Sequence, residues 1–214
     1  MNCRLIAITE PKIPECNTAE ELVAYCARVS NPTNQANKET ASKLVKYLVD
    51  HQHWSPLEMT HLVIEIVTTR DIARQILRHR SFSFQEFSQR YAVAQNFTIR
   101  EARLQDQKNR QNSIETNDAE TSDWWTKEQD NLTDYVQEIY AAALERGIAK
   151  EQARAVLPEG LTESRLYMSG TLRSWVHYCQ LRMRNGTQKE HREIAEACWN
   201  IISREFPSIS ELVL

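Results

Sequence analysis

Cationic, hydroxyl and aromatic side chains are concentrated in one stretch of the chain, RHRSFSFQEFSQRY at residues 78–91. A buried core does not suit this composition, because charged groups removed from water need partners. A purely solvated loop does not need four aromatic residues. Guanidinium groups bind phosphate in a bidentate manner, and amide side chains can pair with the polar edge of a pyrimidine. The stretch therefore predicts a site for an anionic, partly aromatic ligand, with a surface salt-bridge cluster as the plainer alternative.

Phosphate binding by a glycine-rich loop is excluded by the scarcity of glycine. The chain has four glycines, at positions 147, 160, 170 and 186, and they form no Gly-x-Gly-x-x-Gly pattern. If the ligand is a nucleotide, arginine and histidine side chains must hold its phosphates.

A second candidate region is HQHWSPLE at residues 51–58. His51, His53 and Glu58 leave open a metal-dependent hydrolase, although their spacing is poor for a metal site. A non-catalytic nucleotide-binding or RNA-binding module that uses the basic and aromatic stretch also remains open.

Composition limits the class of protein. The 214 residues suit one domain, residues 1–214, and a net charge of −3 argues against a general nucleic-acid binder. Apolar runs are too short to span a membrane. Five cysteines, odd in number and without a Cys-x-x-Cys pair, suggest reduced thiols and a cytoplasmic protein. We expect no partnership with nucleic acid or membrane, and no metal.

Hydrophobic periodicity and capping signals predict the elements that would position these residues. Capping boxes begin helices at Thr18 and Thr187, and Leu172, Trp175, Val176 and Cys179 form a helix face. The polar residues 101–122 are predicted to be a mobile insertion. Strands are predicted at 3–9, 57–69 and 164–169, and further helices at 38–49, 71–77, 124–146 and 150–156.

The pattern Arg-His-Arg, seven residues, Ser at positions 78–88 resembles the signature of flavin-dependent thymidylate synthases. Three further segments resemble family elements: residues 51–58, 151–158 and 171–182. Gln85, Thr171 and His177 depart from the residues found in many members. The resemblance implies FAD as cofactor, with NADPH and methylenetetrahydrofolate as co-substrates and dUMP as substrate. It also implies a homotetramer, and we expect an α+β fold with a central, mainly antiparallel sheet flanked by helices.

The resemblance also implies a role for individual residues. Arg182 is the catalytic candidate, because the matching arginine lies at the uracil ring, and Arg154 would reach the nucleotide phosphate from a neighbouring subunit. The dUMP-binding candidates are Gln75, Ile76, Leu77, Arg78, Glu86, Phe87, Ser88, Gln89, Arg90, Arg154 and Arg182. The FAD-binding candidates are Ser30, His53, Ser55, Arg78, His79, Arg80, Glu86, Thr171, Leu172, Arg173 and His177.

Overall fold

The fold is built on an antiparallel sheet whose strands come from both halves of the chain. The computed structural model describes residues 2–94 and 96–211. Six strands occur in these described ranges: β1 (Asn2–Ile8), β2 (His61–Thr69), β3 (Ser83–Glu86), β4 (Arg103–Gln105), β5 (Ser113–Glu115) and β6 (Glu163–Thr171). Four of them form the main sheet in the order β1-β2-β6-β3, and every neighbouring pair is antiparallel. The predicted antiparallel sheet is confirmed.

Helices complete the single α+β domain. Seven are present in the described residues: α1 (Ala19–Ala27), α2 (Ala41–Asp50), α3 (Arg70–Ile76), α4 (Ala119–Glu145), α5 (Lys150–Ala153), α6 (Leu172–Arg182) and α7 (Lys189–Glu205). No helix among the described residues is long and apolar enough to cross a membrane.

Alternating apolar residues of the two central strands build the core. Leu62, Ile64 and Ile66 of β2 are completely buried, as are Leu166 and Met168 of β6. Side chains two positions apart in a strand share one face, so these five residues present one apolar surface. The face of α6 predicted from Leu172, Trp175, Val176 and Cys179 belongs to the same core, as do the inner faces of α1, α2 and α7.

One predicted strand boundary is wrong for a local reason, and one strand was not predicted. The strand predicted from residue 57 begins at His61, because Ser55–Met59 forms a 3-10 turn with Pro56 in its first turn. Proline fixes φ near the helical value and suits the start of such a turn. The unpredicted strand lies within residues 78–91, where Ser83–Glu86 pairs with β6 at the edge of the sheet.

The two predicted capping boxes have different outcomes. Thr18 caps α1 by accepting from the Glu21 backbone N–H at 3.1 Å, so that prediction is confirmed. Thr187 does not cap α7, which begins two residues later and has no side-chain cap. Gly147, with φ of +79°, directly follows α4 and its cap residue as predicted. The left-handed conformation is one that glycine adopts without steric cost.

Residues 101–122 contain regular structure that the polar sequence does not predict. β4 and β5 pair as a short antiparallel hairpin, and α4 begins at Ala119, five residues before the predicted start. Lys189 of α7 pairs with Glu101 at 2.7 Å and with Glu115 at 2.9 Å, which ties the hairpin to the domain. The mobility of this segment stays a prediction.

Candidate active site

The turn between α3 and β3 carries the Arg-His-Arg motif and is fixed by aromatic packing. The Phe82 ring lies edge-on to buried Trp175, with centroids 4.9 Å apart. A Cβ at Gly170 of β6 would come within 2.4 Å of the Phe82 ring, so only glycine leaves room for this approach. The core of the domain thus sets the position of the motif.

His79 and Arg182 join the motif to the end of α6. The Arg182 Nε–H donates to His79 Nε2 at 2.9 Å. His79 Nε2 therefore carries no proton and accepts this hydrogen bond. Burial, and then the charge of Arg182, lower the pKa of His79 to about 4. Among the described residues, the Arg182 Nη atoms make no hydrogen bond, so they are free to contact a ligand.

Arg78 and Arg80 flank His79 and point to the kind of ligand that the site takes. Both are exposed, and neither makes an ion pair or a side-chain hydrogen bond within residues 2–94 and 96–211. Guanidinium groups free of carboxylate partners can each take a phosphate oxygen pair. The donors present fit the pyrophosphate of a flavin dinucleotide without a glycine-rich loop.

A second group of predicted residues lies at the other end of β3. Arg90 pairs with Glu151 of α5, its Nε and Nη2 both 3.1 Å from the carboxylate. Arg154 Nε donates to the Glu151 backbone oxygen at 3.3 Å. The Ser88 hydroxyl accepts from the Arg90 backbone N–H at 3.4 Å. These contacts link Ser88, Arg90 and Arg154 into one group through Glu151. The contribution of Arg154 to the site of a neighbouring subunit stays a prediction.

Gln89 adds a donor to this second group. It is 4% exposed, and its Nε2 has no hydrogen-bond partner among the described residues. Buried amides normally have a partner. This orphan donor fits a group that a ligand or another subunit would supply.

The Glu86 carboxylate contacts two residues that the sequence reasoning missed, Ser164 and Arg70. Ser164 donates to Glu86 Oε1 at 2.7 Å, and Arg70 lies 3.6 Å from the same oxygen. Among the described residues, Glu86 therefore pairs with none of the motif arginines Arg78, Arg80 and Arg90. Arg70 follows β2 directly, in a position that gave no sequence signal beyond its charge.

The region around residues 51–58 contacts the start of α6. Glu58 Oε1 accepts from Arg173 Nη1 at 2.5 Å, and Trp54 packs edge-on to His177 with centroids 4.5 Å apart. Burial and the nearby Arg173 charge lower the pKa of His177. The three predicted FAD contacts Arg173, His177 and Thr171 thus lie beside the residues of this region.

The metal alternative has no ligand set in the described part of the chain. His51 Nδ1 lies 2.9 Å from the Tyr47 carbonyl oxygen, and the His51 and His53 ring centroids are 6.3 Å apart. Glu58 is already paired with Arg173. No group of three His, Cys, Asp or Glu residues able to hold a metal occurs among the residues described.

The remaining predicted contacts divide between surface and core. Ser30, His53, Ser55 and Phe87 are exposed and accessible to a ligand. Ile76 and Leu172 are completely buried, so they can offer backbone atoms only. Leu77 is half-buried, and Thr171 caps α6 by accepting from the Ser174 N–H at 3.2 Å.

Sequence reasoning missed His191, which lies behind this site. Its Nδ1 is 3.2 Å from Gln75 Oε1, and its Nε2 is 3.2 Å from the Tyr178 hydroxyl. The signal was present, because His191 extends the buried helical stripe of Ile194, Cys198 and Ile202. A polar residue on such a stripe needs an internal partner.

The antiparallel α+β domain thus places three arginines, Arg78, Arg80 and Arg182, around His79. The family described as thymidylate synthase complementing protein matches residues 12–208. A probable flavin-dependent thymidylate synthase of Paramecium bursaria Chlorella virus 1 is 53% identical over 212 residues, covering 99% of this chain and 98% of the viral protein. The flavin-dependent thymidylate synthase of Synechocystis sp. is 48% identical over 213 residues, covering 98% of each chain.

The chain therefore belongs to the flavin-dependent thymidylate synthase family. Its fold is similar to that of a UMP/dUMP methylase, PolB from Streptomyces cacaoi, solved with 5-Br dUMP bound. The TM-score is 0.81 at 24% identity, covering 98% of this chain and 93% of the other.

Proposed function

We propose that this chain catalyses the reductive methylation of dUMP to dTMP. Methylenetetrahydrofolate would supply the carbon and leave as tetrahydrofolate, and NADPH would serve as the reductant of the FAD cofactor. One observation carries the proposal: Arg182 is hydrogen-bonded to a neutral His79, directly beside Arg78 and Arg80, which have no ion-pair partner in the described part of the chain. Family membership and the names of the relatives support the activity.

The protein residues bind and activate the nucleotide in this proposal. Arg78 and Arg80 hold flavin phosphates, while Ser88, Arg90 and Arg154 hold the nucleotide phosphate. Bound flavin supplies the hydride chemistry, which no amino-acid side chain can supply. The chain supplies binding, orientation and electrostatic stabilisation.

Arg182 is proposed to activate the pyrimidine. Carbon 5 of uracil is a poor nucleophile, and its reactivity rises when negative charge develops at N3 and O2. A fixed guanidinium beside those atoms stabilises that charge. The hydrogen bond from Nε to His79 leaves the two Nη groups to make this contact. No cysteine is required, because Cys179 and Cys198 are buried in the apolar core and behave there as small hydrophobic residues.

We further propose a homotetramer in the cytoplasm. The long helix α4 exposes Trp124, Leu132 and Tyr135 at 58%, 45% and 63%. Exposed apolar side chains grouped on one helix are typical of an interface between subunits. All five cysteines are free thiols, which suits a reducing compartment.

An absorption spectrum of the purified protein, followed by a dTMP formation assay, tests the proposal. We expect a yellow protein that makes dTMP only when dUMP, methylenetetrahydrofolate and NADPH are all present. A colourless protein that binds RNA would favour the binding-module alternative. Activity that chelators abolish would favour the metal-dependent hydrolase.

A further inference from the structure

A buried tyrosine and histidine lie behind the proposed nucleotide site, and the reaction described above gives them no role. Tyr178 of α6 is 1% exposed, and His191 of α7 is completely buried. His191 bridges the Tyr178 hydroxyl and Gln75 Oε1, each at 3.2 Å. Gln75 Nε2 in turn donates to Gln188 Oε1 at 2.8 Å. The four residues form a continuous hydrogen-bonded chain from the core to the surface.

The donors and acceptors of these four hydrogen-bonded residues can be assigned in only one way. The Tyr178 O–H needs an acceptor, and His191 Nε2 is its one partner within residues 2–94 and 96–211. Burial lowers the pKa of His191 to about 3, so the imidazole stays neutral. A neutral imidazole that accepts at Nε2 carries its proton on Nδ1. His191 Nδ1–H therefore donates to Gln75 Oε1.

This direction fixes the Gln75 amide. Its carbonyl oxygen faces His191, and its NH₂ group faces Gln188, with one N–H that has no acceptor among the described residues. If the amide were flipped, its NH₂ group would face the N–H of His191 Nδ1. Moving that proton to Nε2 would leave the buried Tyr178 O–H without an acceptor. A buried donor without an acceptor is strongly disfavoured. The amide orientation at the site is thus decided by a hydroxyl in the core.

We propose that Tyr178 and His191 are positioning residues that hold Gln75 so that its free N–H donates to an oxygen of the bound nucleotide. The inference rests on the proposed function, because Gln75 is a nucleotide contact only if this is the dUMP site. Either of two groups of the nucleotide can supply the oxygen that accepts from Gln75, a pyrimidine carbonyl or the phosphate.

The test is the affinity of the flavin-loaded protein for dUMP, measured by titration calorimetry. Tyr178→Phe keeps the ring that packs on His79, with centroids 4.9 Å apart, and removes only the hydroxyl. We expect dUMP binding to weaken about 3- to 10-fold, the scale of one hydrogen bond, with flavin retained. If the weakening persists with deoxyuridine, the oxygen is on the base. If it disappears with deoxyuridine, the oxygen is on the phosphate.

A double-mutant cycle separates positioning from general damage. In a Gln75→Ala background, Tyr178→Phe should cause no further loss of dUMP affinity, because its effect passes through Gln75. Tyr140→Phe is the matched control, because Tyr140 is buried in α4 and its hydroxyl has no partner among the described residues. We expect this control to bind dUMP like the parent protein.

Two results would overturn the inference: unchanged dUMP affinity in Tyr178→Phe, or an equal loss in the Gln75→Ala background. If Tyr178→Phe loses its flavin, the dUMP affinity of Gln75→Ala decides. Unchanged dUMP affinity in Gln75→Ala would refute the contact of Gln75 with the nucleotide, and with it the positioning role of Tyr178 and His191. Failure of the proposed function itself gives a different result, because the parent protein would then not bind dUMP.

Discussion

Replacing Arg182 should damage the chemical step more than substrate binding. Within residues 2–94 and 96–211, Arg182 makes one side-chain hydrogen bond, from Nε to His79 at 2.9 Å, and both Nη groups remain for a ligand. Arg182→Ala removes the two Nη groups that are proposed to stabilise developing charge at N3 and O2. Loss of one such group costs about 2.7–4 kcal/mol, or roughly 10²- to 10³-fold in rate. Bound FAD should be retained.

Arg182→Lys gives the matched comparison, because it keeps the charge and loses the planar fork. Lysine has no Nε–H in that position, so the hydrogen bond that orients the side chain against His79 is lost. We expect a loss of roughly 10- to 150-fold, corresponding to about 1.5–3 kcal/mol for one charge-assisted bond. Lysine should therefore be slower than arginine and faster than alanine.

The assay is single-turnover dTMP formation at saturating dUMP, which separates the chemical step from binding. Retained flavin absorbance and an unchanged melting temperature show that each variant is folded and loaded. A rate constant for Arg182→Ala within about threefold of the parent, below the smallest loss expected above, would reduce Arg182 to a structural residue. A raised KM with an unchanged rate would assign it to ground-state binding alone.

Three further predictions follow from the same contacts. Mixing inactive Arg182→Ala chains with inactive Arg154→Ala chains should restore dTMP formation. Gly170→Ala should cost about 1–3 kcal/mol in unfolding experiments and weaken flavin binding, because its Cβ would displace Phe82. The melting temperature should fall as the pH drops from 6.5 towards 4, because His79 and His191 have pKa values lowered to about 4 and about 3. Between pH 6.5 and about 4, the unfolded chain binds more protons than the folded chain. The stability contributed by the two neutral histidines is therefore present in full above pH 6.5 and is lost on acidification. His79→Gln should make the fall shallower, and an equally steep fall would contradict this assignment.

Local sequence signals predicted most of the fold. Strand β2, with Leu62, Ile64 and Ile66 on one face, and the buried face of α6 follow from hydrophobic period alone. The hairpin of β4 and β5 could not be predicted in this way. Its residues are mostly polar, and its position depends on ion pairs from Lys189, which lies 74 residues beyond Glu115.

The composition of the candidate site was also predictable, but its arrangement was not. The spacing of the motif identifies Arg78, His79, Ser88 and Arg90 as a set. It cannot show that His79 contacts a residue 103 positions away while Arg90 contacts one 61 positions away. Such pairings depend on how the sheet orders its strands, because β6 brings α6 beside the motif.

The strand inside the motif separates the two ends that the proposed site would use. β3 occupies Ser83–Glu86, between the Arg78–Arg80 end and the Ser88–Arg90 end. Four extended residues span about 13 Å, which is too far for both ends to hold one phosphate group. Among the described residues, no hydrogen bond or ion pair joins the group of His79 and Arg182 to the group of Arg90 and Arg154. A motif that is continuous in sequence can therefore supply two half-sites, each completed by a different copy of the chain.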